Sequence, residues 1–309
     1  MSFLRAFGSH LPEHRVGNAE IAALVGTTPE WIVDVSGIEE RRYAADSDTV
    51  ASVGLQAAQN CLANAGATAA ELGMIMVASG SAPRLCPGPA SQVATGLGLA
   101  STFALDIPVA SCGSLIGVAL AAELAPRYGP VLVVGTEIMS RCIELTPESR
   151  DTSILFGDGA GACLVDPSSG FARIADSILS TDGASAEILK IENGRIAMEG
   201  RSVILQAVRK MPRVLNDLLA RNHLTAAEPV AWLMHQANLN LIMRVAQSLK
   251  VPEERWFVNL ARYGNTSSAS LLIAADEWRN ANPDPLAGPL VLTAFGAGLN
   301  WGALLALPA

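Results

Sequence analysis

Residues 106–124 read DIPVASCGSLIGVALAAEL, and the fold is decided on this stretch. An apolar run with strand character, Ala104–Pro108, ends in small residues, and an Ala-rich helical pattern over Ser114–Leu124 begins just past Cys112. The same succession of short strand, small residues and helix recurs in both directions. Further strands are expected at Met74–Ala78, Val131–Val134, Ala160–Val165, Trp232–Met234, Phe257–Val258, Leu290–Thr293 and Gly302–Leu307. Helices are expected at Thr49–Asn64, Pro89–Leu97, Ser202–Arg221, Asn238–Leu249 and Ser267–Asn280. Continuously apolar strands set between helices imply a sheet covered on both faces, hence α/β layering.

The composition agrees. Half of the 309 residues are hydrophobic and 16% are charged, enough for a substantial core. A net charge of -8 leaves no global electrostatic footprint for nucleic acid or an anionic membrane, and neither is an expected partner. Five cysteines without a CxxC pair argue against a disulfide framework and against a zinc site, and they suit a reducing compartment. The start, MSFLRAFGSHLPEHR, lacks the apolar core of a secretory signal. No run of about 18 apolar residues occurs, so a soluble cytoplasmic protein is expected. Two glycine-rich apolar segments, FGDGAGACLV at Phe156–Val165 and FGAGLNWGALLAL at Phe295–Leu307, flank the seam DPSSG at Asp166–Gly170. They hint at two similar halves, 1–166 carrying Cys112 and 167–309 carrying His235 and Asn265.

Three strand-to-helix junctions carry the chemistry. Cys112 lies at a helix N-terminus, where unpaired N–H groups and the dipole favour a thiolate. A buried packing cysteine fits that segment equally well. His235, in LMHQANLNLIMRVAQSL (Leu233–Leu249), ends a strand and precedes an amphipathic helix, where an imidazole can serve as donor or base. The other histidines, His10, His14 and His223, read as surface residues. Asn265, in NLARYGNTSSASLLIAADEW (Asn259–Trp278), occupies a turn before a run of small hydroxyl residues, a setting that also suits a helix cap.

Together with HQAN (His235–Asn238), YGNTS (Tyr263–Ser267), FGDGAGA (Phe156–Ala162), EWIVDVSGIEERR (Glu30–Arg42) and AFGAGLNWG (Ala294–Gly302), the cysteine segment resembles the β-ketoacyl-acyl carrier protein synthase III family over essentially the full length. The resemblance implies the thiolase fold, two βα halves packed as an α-β-α-β-α core, in a homodimer. It implies that Cys112 accepts an acyl group from a thioester, with the oxyanion held by the backbone N–H groups of Cys112 and Ala297. His235 and Asn265 would then stabilise the enolate left when a malonyl-type thioester loses carbon dioxide. No metal or redox cofactor is implied. The substrates would be coenzyme A or phosphopantetheine thioesters, and the partners acyl-CoA or an acyl carrier protein. Trp31 and Arg150 would grip coenzyme A, Gly200, Arg201 and Asn238 would line the pantetheine arm, and Cys86, Phe156 and Met198 would shape the acyl pocket. Cys86 lies in SAPRLCPGPASQ (Ser81–Gln92), which is similar to the loop that crosses the dimer.

Departures from the family pattern accompany these matches. Val35 and Asn240 stand where basic residues are common, Arg201 replaces an Asn, and CGS follows where CAG is usual. They imply a specialised relative, in secondary metabolism. Acyl transfer from Cys112 to an amine or alcohol, and a role as one subunit of a heteromeric condensing enzyme, are the competing readings. A papain-like protease is disfavoured because CGSL lacks that family's following aromatic signature. A degradative thiolase would need a second cysteine in AFGAGLNWG.

Overall fold

The computed structural model describes residues 1–309, and ten strands share one hydrogen-bonded sheet. In chain order they are β1 (Ser2–His10), β2 (Met74–Ala78), β3 (Phe103–Ile107), β4 (Val131–Ile138), β5 (Asp158–Asp166), β6 (Ala172–Thr181), β7 (Ala231–Met234), β8 (Trp256–Phe257), β9 (Leu290–Gly296) and β10 (Asn300–Pro308). The helices that cover them are α1 (Val50–Ala65), α2 (Pro89–Gly96), α3 (Gly113–Tyr128), α4 (Gly200–Arg221), α5 (Leu239–Leu249) and α6 (Ser270–Ala281). Across the sheet the order is β8-β7-β9-β10-β6-β1-β5-β4-β2-β3. Strand and helix order thus repeats as β-α-β-α-β-α-β-β on either side of Asp166–Gly170. The two sets of strands meet where β1 pairs antiparallel with β6.

Side-chain alternation along the strands builds the layers. β2 sends Met74, Met76 and Ala78 to one core and Ile75 and Val77 to another. β7 likewise divides Ala231 and Leu233 from Trp232 and Met234. The shared inner core holds α3 and α6 between the two sets of strands. On the outer faces, α1 and α2 cover the first set, and α4 and α5 cover the second. The result is the expected five-layered α-β-α-β-α core.

Local signals set the helix limits. Thr49 and Ser52 form a reciprocal capping box at α1, and left-handed Gly66 ends it. Asn238 caps α5 by accepting from the Leu241 N–H. β2, β3 and β4 run parallel, as do β7, β8 and β9, so the strand ends that lead to α3 and to His235 face the same way within each set. No helix is long and apolar enough to cross a membrane.

Every strand and helix expected from the sequence is present, with ends shifted by a few residues at most of them. Two of the ten sheet strands, β1 and β6, were not anticipated. β1 mixes Arg5, Gly8 and His10 with apolar residues, and a register shift between Leu4 and Ala6 interrupts its alternation. β6 is mostly half-buried, so it shows no continuous apolar run. His10, expected on the surface, is half-buried in β1, and that burial lowers its pKa. His14 is exposed, and His223 follows α4 in a left-handed conformation at φ 58°.

One close approach fixes where α6 begins. A Cβ on Gly135 of β4 would lie 2.2 Å from the Ser268 carbonyl oxygen, so only glycine permits this packing. Gly135→Ala is therefore expected to destabilise the chain by about 1–3 kcal/mol, as overpacked cores do. Urea unfolding should show a lower midpoint with an unchanged slope; an unchanged midpoint would contradict the tight packing.

Candidate active site

The segment before α3 enters the helix through a strained residue. Ser111 has φ 66°, unusual for a residue with a side chain, and its N–H donates to Ser267 Oγ at 3.0 Å. Cys112 follows, fully buried, with Sγ 3.7 Å from the Ala294 carbonyl oxygen. Burial pushes its thiol up to about 12. Desolvation thus opposes the thiolate expected from the helix end. The Cys112 N–H, expected in an oxyanion hole, donates to the Ala110 carbonyl at 2.8 Å.

The hairpin that joins β9 and β10 lies against this junction. A Cβ on Gly296 would sit 2.8 Å from the Cys112 nitrogen and 2.3 Å from the Ala110 oxygen, which accounts for glycine there. Ala297 is next, and its N–H donates to no group of the chain.

His235 directly follows β7, and its backbone N–H donates to Thr293 of β9 at 2.9 Å. The ring is buried, with Nδ1 2.5 Å from Ser270 Oγ. Burial lowers its pKa to about 3, so the imidazole is neutral throughout the ordinary pH range. Asn265 is also buried. Its Oδ1 accepts from the Ser267 N–H at 2.9 Å, while its own N–H donates to the Leu155 carbonyl at 2.8 Å. The side-chain oxygen therefore does the local turn work anticipated for a cap, and Nδ2 donates to no group of the chain.

His235, Asn265, Ser111 and Ala297 line one cavity of about 300 Å³. Cys112 is not itself in the lining, which reaches its two preceding residues, Ala110 and Ser111. The remaining lining is largely apolar and includes Met139, Phe156, Leu189, Ile191, Ile196 and Met198. Trp31, Gly200, Arg201 and Asn238 also border it. The Arg150 guanidinium lies 5.4 Å from the Trp31 ring centroid, outside the cavity lining. Asn238 borders the cavity while its oxygen caps α5 and its nitrogen donates to the Val35 carbonyl at 2.8 Å. Cys86 is exposed on its loop and does not border this cavity.

Sequence reading missed two contributors. Leu189, Ile191 and Ile196 join the expected Met198 on a hairpin, Leu189–Glu192 with Arg195–Met198. Its signal was Asn193-Gly194, both with positive φ, the preferred dipeptide of a tight hairpin. The serines at 267, 268 and 270 are in sequence no more than a run of small hydroxyl residues. Ser268 Oγ donates to the Val109 carbonyl at 2.9 Å, so each of the three holds a different part of the site.

Comparison with known proteins follows the same outline. Residues 105–183 match the family model of 3-oxoacyl-[acyl-carrier-protein (ACP)] synthase III, and residues 219–307 match the model of its C terminal. A beta-ketoacyl-[acyl-carrier-protein] synthase III of Oleidesulfovibrio alaskensis is 39% identical over 98% of both chains. The crystal structure of 3-oxoacyl-[acyl-carrier-protein] synthase III from Aquifex aeolicus superposes with a TM-score of 0.95 at 32% identity, covering 99% of this chain and 100% of that one. The priming beta-ketosynthase of the R1128 polyketide biosynthetic pathway gives 0.92 at 31% identity, covering 100% and 96%.

The buried histidine has a consequence for acid stability. Its pKa falls from 6.5 to about 3 on folding, so between those values the unfolded chain binds a proton that the folded chain refuses. Stability from this group is complete above about pH 6.5 and declines as pH falls, by up to about 1.4 kcal/mol per unit. His235→Gln should show a shallower loss between about pH 6.5 and pH 5 in urea titrations. Equal slopes for the two proteins would show that His235 is not held neutral by folding.

Proposed function

The chain belongs to the 3-oxoacyl-[acyl-carrier-protein] synthase III family, and we propose that its cavity performs a decarboxylative Claisen condensation on an acyl group held by Cys112. The observation that carries the residue roles is the pairing of a neutral imidazole with an amide whose nitrogen is uncommitted, both on one largely apolar cavity.

In the first half-reaction Cys112 Sγ attacks the carbonyl of an acyl thioester. The carrier thiol leaves with the cysteine proton, and the acyl group remains on sulfur. Ala297 N–H, without an acceptor in the chain, would hold the tetrahedral oxyanion, and Cys112 N–H would join it by sharing its bond to Ala110. In the second half-reaction a malonyl thioester binds beside His235 and Asn265. Its carboxylate departs as carbon dioxide, and the bonding pair becomes an enolate whose oxygen accepts from both side chains. The enolate carbon attacks the acyl-Cys112 carbonyl, the carbon–sulfur bond breaks with its electron pair on sulfur, the sulfur takes a proton from water, and the β-ketoacyl thioester leaves. Plain transfer to an amine or alcohol does not need the second donor, so Asn265 favours condensation.

For the thioester carrier, α4 offers a surface that begins at the cavity mouth. Arg201, Leu205, Arg209 and Arg213 recur every fourth residue, and all four are exposed. Arg201 and Arg209 form no ion pair, nor does Arg244 of α5. In a chain of net charge -8, such a stripe supports docking of an acidic acyl carrier protein, replacing the basic residues absent at Val35 and Asn240. The loop Ser81–Gln92, with Leu85 87% exposed, fits a role in a homodimer, where its Cys86 would reach the partner's pocket.

Two experiments test these roles. Incubation with acyl-CoA should add the acyl mass to the Cys112 peptide, and Cys112→Ala should abolish the adduct. His235→Ala and Asn265→Ala should still acquire it while condensation falls by about 10²–10³. Loss of acylation with decarboxylation retained would reverse the assignments. Separately, Arg209→Glu with Arg213→Glu should raise KM for a carrier-bound malonyl thioester by about tenfold and leave the acyl-CoA KM unchanged. Equal effects on both would remove α4 as the docking face.

A further inference from the structure

We propose that Ser270 is a positioning residue that fixes the tautomer of His235, with the ring proton on Nε2. The inference deepens the condensation reading, because it states which form of the imidazole faces the substrate.

The hydrogen-bond accounting around one hydroxyl leads there. Ser270 opens α6 and is 2% exposed, so its groups find partners within the protein. Its Oγ has two neighbours: the Gln236 N–H, which donates to it at 3.0 Å, and His235 Nδ1, at 2.5 Å. A backbone N–H can only donate, so Gln236 fixes Ser270 Oγ as an acceptor on that side. The hydroxyl proton has no acceptor other than Nδ1. Were Nδ1 protonated, two N–H groups would converge on Oγ and the buried hydroxyl proton would be stranded. Donation from Ser270 to Nδ1 satisfies all three groups and places the ring proton on Nε2.

The surroundings hold this arrangement still. The Gln236 side chain donates to the Met234 carbonyl at 2.7 Å and accepts from the Asn259 N–H at 3.0 Å, which ties the residue to β7 and to the segment after β8. His235 itself is anchored through its N–H to Thr293. The ring therefore presents one donor to the cavity, beside the amide nitrogen of Asn265. The other tautomer would present a lone pair and repel an enolate oxygen.

The test separates tautomer from activity. In the wild-type protein labelled with ¹⁵N-histidine, His235 should show a protonated Nε2 and an unprotonated Nδ1, an outcome independent of any substrate. Ser270→Ala should give mixed ring protonation. Its kcat for condensation should fall by about tenfold or more, while acylation of Cys112 by acyl-CoA stays within about twofold. A wild-type spectrum with the proton on Nδ1, or a Ser270→Ala enzyme condensing at the wild-type rate, would overturn the proposal. Should Ser270→Ala not fold, the wild-type spectrum decides. Failure of every donor to acylate wild-type Cys112 would instead sink the condensation reading and leave the tautomer to the spectrum.

Discussion

At the start of α6, three serines hold the chemical junctions of both halves in register. Ser267 accepts from the strained Ser111 N–H with its side chain and orients Asn265 with its backbone N–H. Ser268 donates to Val109 with its side chain, and its N–H donates to the buried Glu137 carboxylate at 3.3 Å. Ser270 contacts His235 and Gln236. The run can reach all these groups because Gly135 lets its backbone lie directly on β4. Because α3 and α6 are the third helices of their respective repeats, this contact joins equivalent corners of the two halves. Ser111 and Ser267, both with positive φ, face each other there.

The electrostatics of the cavity follow from the same burial. Desolvation raises the Cys112 thiol and lowers the His235 imidazole, so both rest neutral. With these two side chains neutral, the enolate is the charge that develops between them, and neutral dipoles fixed in a low-dielectric setting stabilise it without reorganising. The nearby carboxylate, Glu137, is saturated by donors from Ser79, Gly80, Ser81 and Ser268. Its interactions brace the loop after β2 and the start of α6 together.

Much of this was legible before folding, for physical reasons that differ by element. Strands such as Met74–Ala78 are buried on both faces, and their continuous apolarity announces them. β1 and β6 join the two halves and are half-polar, so period and hydropathy conceal them. Cys112, His235 and Asn265 were found because each stands at a strand-to-helix junction. Of the hairpin Leu189–Met198 only Met198 was anticipated, because a short hairpin over a cavity needs few apolar residues and only its Asn-Gly turn is distinctive. The helix dipole that favours a thiolate is a local property, whereas the desolvation that opposes it depends on everything packed around the sulfur.

The linear order of residues by itself determined the α/β layering, the family resemblance and the identity of the three chemical side chains. Those depend on local periodicity and on motifs a few residues long. Only the tertiary structure decided the protonation of Cys112 and His235, the commitment of the Asn265 oxygen, the engagement of Asn238 as a cap, and the part played by Ser270. The Asn265 turn and the Asn238 cap are local bonds that the fold brings to the cavity. The protonation states and the part of Ser270, in contrast, are set by atoms from segments far apart in the chain, such as Ser270 against His235. Their distance and burial arise only when the halves pack. The same packing sets the residues just before Cys112, Ala110 and Ser111, in the wall of a cavity that also holds a histidine and an asparagine.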